Sequence, residues 1–160
     1  MLSNQPIRLI ESHEEEIAAR TLRSIHRRSE MAHLAGLPEP ELLEQGREIL
    51  RNLSHWLVHG HDGLLAHKYE SRGQMRFEQG VPLEESFRGL CLLKEAMLEF
   101  LEEQGTGENY LALYAEEQFE RRIGQFFDLL TVHLVHGYEK AWRHSAMGFA
   151  HSAAAAQSGR

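Results

Sequence analysis

Residues 69–101 read YESRGQMRFEQGVPLEESFRGLCLLKEAMLEFL, and this stretch decides the fold. Two helical patterns meet at one corner, Gln79-Gly80-Val81-Pro82. Gly80 suits the left-handed turn that closes a helix. Pro82 suits the start of the next, where a missing N–H leaves nothing unpaired. Glu84 and Glu85 follow in the first turn, where the helix dipole favours negative charge. Beyond them Leu83, Phe87, Leu90, Cys91, Leu92, Leu93, Ala96, Met97, Leu98, Phe100 and Leu101 are apolar on most of the circumference. Such a helix is buried on most sides, so the sequence predicts that 83–101 is the central core helix.

Outward from that corner the chain continues to read as helix. Ile7, Ile10, Ile17, Leu22 and Ile25 predict a first helix over 6–28, and Gly36 and Pro38 punctuate a short turn segment over 31–38. Leu42, Leu43, Ile49, Leu50, Leu53, Trp56 and Leu57 form the stripe of a second helix beginning near Pro38 or Pro40. His59-Gly60-His61-Asp62-Gly63 breaks it, and a weakly apolar helix over 64–79 leads into the corner. After a polar loop over 102–107, residues 108–147 read as one long helix or two in line. Its apolar positions include Leu111, Leu113, Tyr114, Phe119, Ile123, Phe126, Phe127, Leu130, Leu134, Val135, Tyr138 and Trp142. Val and Thr are scarce and no hairpin dipeptide lies between apolar runs. The fold class is therefore all-α, with five or six helices and a long C-terminal one. Residues 1–150 form one domain, and 151–160 a low-complexity, flexible tail.

Composition narrows the function classes. At 160 residues, 42% hydrophobic and 26% charged, the chain can bury a sound core. Its net charge of −7 argues against a nucleic-acid partner, which calls for basic patches. The basic run Arg20, Arg23, Arg27 and Arg28 is flanked by glutamates and reads as a solvated face. Cys91 is the only cysteine, so no intrachain disulfide or thiolate cage is possible, and an inert buried thiol is expected. The N-terminus lacks the basic start and apolar core of a signal peptide. The apolar segment 126–138 carries Asp128, His133 and His136 and is too short to span a bilayer. A cytoplasmic protein without membrane insertion is expected.

Eleven histidines are the compositional oddity. His55 and His59 stand at i,i+4, as do His26 and Glu30, a spacing that presents two ligands on one helix face. Hemerythrin-like di-iron bundles use HxxxE and HxxxH, but the Asp-bearing motif they also need is missing here. His59, His61 and His67 form a second group able to titrate near neutral pH; polar loop residues are the plainer reading. No Ser-His-Asp set, nucleophile elbow or phosphate-cradling loop is present, so no catalytic residue is assigned. Arg72 and Arg76 share a face at i,i+4, and Arg88 and Lys94 lie on the apolar helix. Convergent, with His67 nearby, these five would hold an anionic ligand. The alternative is that Arg72 and Arg76 pair with Glu78, Glu84 or Glu85 around the corner. Phe127, Leu130, Leu134, Gly137 and Ala141 follow spacings of three and four. With Tyr138 they form a seam expected to join a second copy, or else to pack inside one domain.

Residues 76–101, RFEQGVPLEESFRGLCLLKEAMLEFL, resemble the N-terminal domain of the RsbR/RsbRD stressosome co-antagonist family. FFDLLTVHLVHGYEKAW, residues 126–142, is similar to that family's closing helix, and 10–25 match more loosely. The specific part is the basic residue, QGVPLEE, then an apolar helix with Arg88 and Leu92-Leu93-Lys94. The resemblance implies a globin-like fold without haem or other cofactor, homodimeric, acting as a sensory input to a protein partner in a signalling pathway. That family's domain usually precedes a STAS output domain, whereas this sequence ends at Arg160. Globin-coupled oxygen sensors supply a second comparison, with a Gly, the iron-binding His three residues on, and a Gly four later. Gly73, Arg76 and Gly80 stand at those spacings, which puts Arg76 in the ligand's place. Arginine has no lone pair for iron. Haem or di-iron held by histidines elsewhere, His67 or His59 among them, is the competing reading.

Overall fold

The structure, a computed structural model, describes residues 5–60, 63–105 and 110–158; at 110–116, 150 and 152 it describes the backbone alone. The described residues form helices α1 (Gln5–Ser12), α2 (Glu14–His26), α3 (Ala32–Ala35), α4 (Glu39–His59), α5 (Gly63–Glu78), α6 (Leu83–Glu103) and α7 (Tyr110–Ser158), and no strand. This is the all-α, globin-like bundle with a long closing helix that the resemblance implies. Leu111, Leu113 and Tyr114, the expected apolar start of α7, have side chains outside the described residues, as do His61, Asp62 and the loop residues 106–109.

Seven helices replace the expected five or six for two local reasons. The first helix is interrupted at His13, whose backbone N–H and ring Nδ1 both turn to the Leu9 carbonyl, at 3.1 and 3.0 Å. The segment expected as a plain turn holds a 3₁₀ turn (Ser29–Met31) and α3, because Met31 and Leu34 are buried and fold it onto the bundle. Glu14, Glu15 and Glu16 open α2 and Arg23 and His26 close it, the charge order the helix dipole favours.

The corner after α5 is built as its sequence suggests. Gly80 takes φ +76°, the Gly80 N–H donates to Phe77 O (3.0 Å) and the Val81 N–H to Arg76 O (3.0 Å). That pair of bonds is the Schellman closure. Tyr138 of α7 then ties the corner down, donating to Val81 O at 2.8 Å, with Ser86 Oγ 2.6 Å from the same hydroxyl.

α6 is not buried on most sides. Leu92, Leu93, Ala96, Met97 and Phe100 face inward, while Leu83 and Phe87 are exposed. α7 enters the core along one stretch, through Phe119, Ile123, Phe126, Phe127, Leu130, Leu134 and Tyr138. Its largest partner is α5. Glu70 pairs with His136 (3.3 Å) and Lys140 along this contact. At its centre Gly73 faces Gly137. A Cβ on Gly73 would run into the Leu134 carbonyl, and one on Gly137 into the Glu70 carbonyl. The two backbones touch because neither residue has a side chain.

From Glu139 onward no described side chain of α7 is buried, and the helix continues through the 151–158 segment. Trp142, Met147 and Phe149 are exposed there at 63, 72 and 80%.

Replacing Gly137 or Gly73 by Ala is expected to cost about 1–3 kcal/mol, because two helices must separate. Gly124→Ala, on the same α7 but with open space at the Cβ position, is expected to gain up to about 1 kcal/mol from helix propensity. Urea unfolding midpoints check the contrast; equal responses at positions 124 and 137 would refute the crossing.

Candidate functional site

Four helices and one residue from each of two more line a partly open cavity of about 90 Å³. α2 supplies Ala18, Thr21, Leu22 and Ile25; α6 supplies Ser86, Gly89, Leu90 and Leu93. α4 covers it with Leu42, Gln45, Gly46 and Ile49, and α5 brings Tyr69, Arg72 and Arg76. Leu134 of α7 and Leu34 complete the lining. The walls are mainly aliphatic, and the polar groups gather on the α5 side.

Arg76 is the unusual member, 4% exposed. Its place follows from the sequence locally: it is three residues before Gln79 and caps the last turn, its carbonyl accepting from Val81 N–H. Nη1 donates to Glu41 Oε1 (3.2 Å) and to Gln79 Oε1 (2.7 Å). Burial disfavours the charge and pulls the Arg76 pKa down, while Glu41 opposes that shift and Arg72 adds to it. One helical turn earlier, Arg72 pairs with Glu48 (2.8 Å), which also takes Lys68. Burial pushes the Glu48 carboxyl up, but Lys68 and Arg72 outweigh it and hold the group below the usual range. Both arginines therefore reach across to α4, and not to Glu78, Glu84 or Glu85 around the corner.

α4 is held unevenly. Its buried residues are Leu50, Leu53, Ser54 and Leu57, all in the second half. Between Glu39 and Ile49 no side chain is buried. This first half, the wall over the cavity, is fastened by Glu41 and Glu48 to α5 and by close contact of Gly46 with Ala18, whose Cβ would lie 3.2 Å from one built on Gly46. The second half is anchored by Trp56 against Phe126 (5.7 Å) and by Arg122, which lies over the Trp56 ring and donates to Leu57 O.

Of the five residues expected to form an anion site, the structure brings together Arg72 and Arg76 alone. Arg88 is exposed and pairs with Glu84 at 2.9 Å. Lys94 is half-buried and does not line the cavity, and His67 is exposed on an outer groove beside Leu64 and Lys68. Helical phase explains this: Arg88 and Lys94 lie off the inward face that carries Leu92, Leu93 and Ala96. Phe127, Leu130, Leu134 and Tyr138, expected as a seam with a second copy, are buried within the chain's own core, and Ala141 is half-buried. The stripe is spent inside the domain, largely on α5.

Among the described residues the histidines do not converge on a metal site. His55 and His59 are exposed with rings 4.5 Å apart, and His26 lies 3.7 Å from Glu39 instead of pairing with Glu30. Among the described residues no three His, Cys, Asp or Glu side chains are placed to hold a metal ion. Cys91 is half-buried rather than buried.

Sequence reasoning missed Glu85. It is 6% exposed, accepts from the Leu34 N–H (2.8 Å) and lies 2.8 Å from His33 Nδ1, so it caps α3 across 51 residues. Glu41 and Gln79 were missed for the same reason: no local pattern marks a partner far along the chain.

Fold and cavity together define a class, a globin-like all-α domain with a partly open, mainly apolar pocket between its helices. The chain belongs to the RsbT co-antagonist protein rsbRD N-terminal domain family, whose model matches residues 15–148. That is a family of stressosome sensor and regulatory domains. No curated protein and no solved structure matches the chain. No helix among the described residues is long and apolar enough to cross a membrane.

Tyr69 gives a pH-dependent check on the cavity wall. Burial pushes its hydroxyl up to about 12, with Glu48 adding, against the hydrogen bond from Asn52 and the charge of Arg72. The folded state thus holds a proton that the unfolded chain releases from about pH 10, so stability falls as pH rises from about 10 to 12. Melting curves are expected to show that loss, at most about 3 kcal/mol, reduced in Tyr69→Phe. An unchanged alkaline slope in the variant would contradict the assignment.

Proposed function

We propose that this chain is a non-enzymatic, homodimeric signal-input domain without haem, passing a ligand- or partner-induced helix shift through α7 to a signalling output. Residues 1–150 act as the sensor unit and 151–160 as a tail beyond it. The protein works in the cytoplasm with a protein partner, without nucleic acid and without membrane insertion. The observation that carries this reading is the cavity wall itself: α5 lines the cavity with Arg72 and Arg76 and is locked backbone to backbone onto α7. A change at the cavity that moves α5 must move α7, a rigid element with an uncovered end. Sensors of this kind work by shifting between two packings, to the extent that the signal prefers one of them.

The face for a second copy lies on α7 away from α5. Val135, Trp142 and Phe149 recur every seven residues on one side, half-buried or exposed. Identical helices pairing along such a stripe bury it on both chains, and exposed apolar stripes of this kind mark interaction sites. Pairing there also brings two α7 ends together, as a shared output requires.

The test is an absorption spectrum with metal analysis on freshly purified protein, and light scattering on the same sample. A colourless, metal-free dimer is expected, turning monomeric in Trp142→Glu with Phe149→Glu while helical content is kept. A Soret band, stoichiometric iron, or a monomeric wild type would overturn the reading; in the first two cases His26, His55, His59 and His67 would be the ligands to replace.

A further inference from the structure

We propose that the cavity binds a short-chain carboxylate of about four to six heavy atoms, which takes the free edge of the Arg76 guanidinium and competes with Glu41 for its charge. This rests on the sensor reading above and names the class of ligand for it.

Three observations converge. First, Arg76 is buried and lines the cavity, yet among the described residues only Nη1 has acceptors; Nε and Nη2 donate to none. A guanidinium offers five donors in a fixed fork, and Nε and Nη2 are not shut off from solvent: among the described residues the buried side-chain atom without a partner is Ser54 Oγ. A carboxylate accepts from Nε and Nη2 side by side, the bidentate geometry arginine recognises best.

Second, the local charge is unbalanced. Lys68, Arg72 and Arg76 face two carboxylates, Glu41 and Glu48, and Glu48 is engaged by both Lys68 and Arg72. Arg76 is left with Glu41 alone, whose side chain is 31% exposed and also accepts from Gln79 and Gln45. Lys68 is exposed on the outer groove, so the cavity-side pairs are Arg72 with Glu48 and Arg76 with a Glu41 shared with Gln79 and Gln45, which leaves the buried Arg76 the less fully compensated.

Third, the rest of the cavity sets the ligand's body. Leu22, Ile25, Leu42, Ile49, Leu90 and Leu93 make most of the wall aliphatic, and its other polar groups are already engaged: Thr21 with Ile17 O, Gln45 with Glu41, Tyr69 with Asn52 and Ser86 with Tyr138. A volume of about 90 Å³ corresponds to about three waters at a liquid share of about 30 Å³ each. That admits a propionate or butyrate within the pocket, whereas a longer chain would have to reach out through its open side. Ligand sites of this make-up, apolar with a few placed polar groups, are the usual kind.

The consequence for α4 follows from how it is held. A carboxylate on Arg76 weakens the Glu41 contact, and no buried side chain holds α4 between Glu39 and Ile49. With that tie loosened, α5 shifts together with α7 against this half of α4.

The test is calorimetric titration and thermal shift with sodium propionate, butyrate and octanoate at constant ionic strength, against chloride, phosphate and 1-butanol. Saturable binding of propionate or butyrate is expected, with octanoate, phosphate and 1-butanol at least tenfold weaker. Glu41→Gln, which keeps an acceptor but removes the competing charge, is expected to tighten butyrate about tenfold. Arg76→Lys, which keeps the charge but not the fork, is expected to weaken it at least tenfold. If Arg76→Lys does not fold, Glu41→Gln decides alone. No saturable binding to wild type or Glu41→Gln, equal binding of 1-butanol or chloride, tighter octanoate, or unchanged affinity in Glu41→Gln would each overturn the proposal. Those failures leave a colourless dimer untouched, so they are distinguishable from failure of the sensor reading, which appears in the spectrum and the scattering.

Discussion

Everything in this domain is arranged around a place where two side chains are missing. Gly73 on α5 and Gly137 on α7 let the helix backbones meet, and any Cβ there would strike a carbonyl of the opposite helix. Helices with ordinary side chains between them pack at 8–10 Å and slide or rotate with rotamer changes. A backbone contact has no such slack. It makes α5 and α7 one mechanical unit, reinforced by Glu70 to Lys140 and by Tyr138, which spans from α7 to the Val81 carbonyl and Ser86. The corner at Gly80 then sets where α6 departs from that unit.

Against this fixed pair the first half of α4 is attached differently. Its contacts to α5 are ion pairs, Glu41 with Arg76 and Glu48 with Arg72 and Lys68, and none of its side chains is buried before Leu50. Ion pairs at partly exposed positions contribute little net stability, whereas the buried aliphatic anchors of the second half contribute more per residue. The same helix is thus firmly seated at one end and loosely fastened at the other, over a cavity. Unequal local stability of this sort is what a responsive element requires. Stiff and loose parts meet at Arg76, which belongs to α5, closes the corner through its carbonyl, and holds α4 through one nitrogen.

The legible parts of this fold were those written locally. Gly80 and Pro82 announce a helix end and a helix start within four residues, and the Schellman bonds form there because they involve only neighbours. The apolar face of α7 was also legible from the spacing of Phe127, Leu130 and Leu134, but not its end, which lies at Ser158 and not near Met147. What that spacing does not carry is the identity of the partner. An apolar stripe is equally satisfied by a second copy or by α5, and the glycine at 137 decides for α5 only once Gly73 is known to face it. The site shows the same boundary. Arg72 and Arg76 were legible as one face at i,i+4, but Glu41 and Glu48 lie 35 and 24 residues away and nothing local points to them. Arg88 and Lys94 were misplaced because α6 reads as apolar all round while it buries one face; Glu85, in the same turn as the exposed Glu84, is inside because α3 needs its carboxylate.

The claim that most of this depends on is the division between a locked α5–α7 pair and a loosely held first half of α4. Native-state hydrogen exchange, read amide by amide, tests it without any ligand. Amides at 72–78 of α5 and 130–138 of α7 are expected to exchange together, at the slowest, globally limited rate, with those at 43–48 of α4 opening well before them and 53–57 falling with the slow set. Protection of 43–48 equal to that of 72–78, or α5 opening independently of α7, would contradict the account.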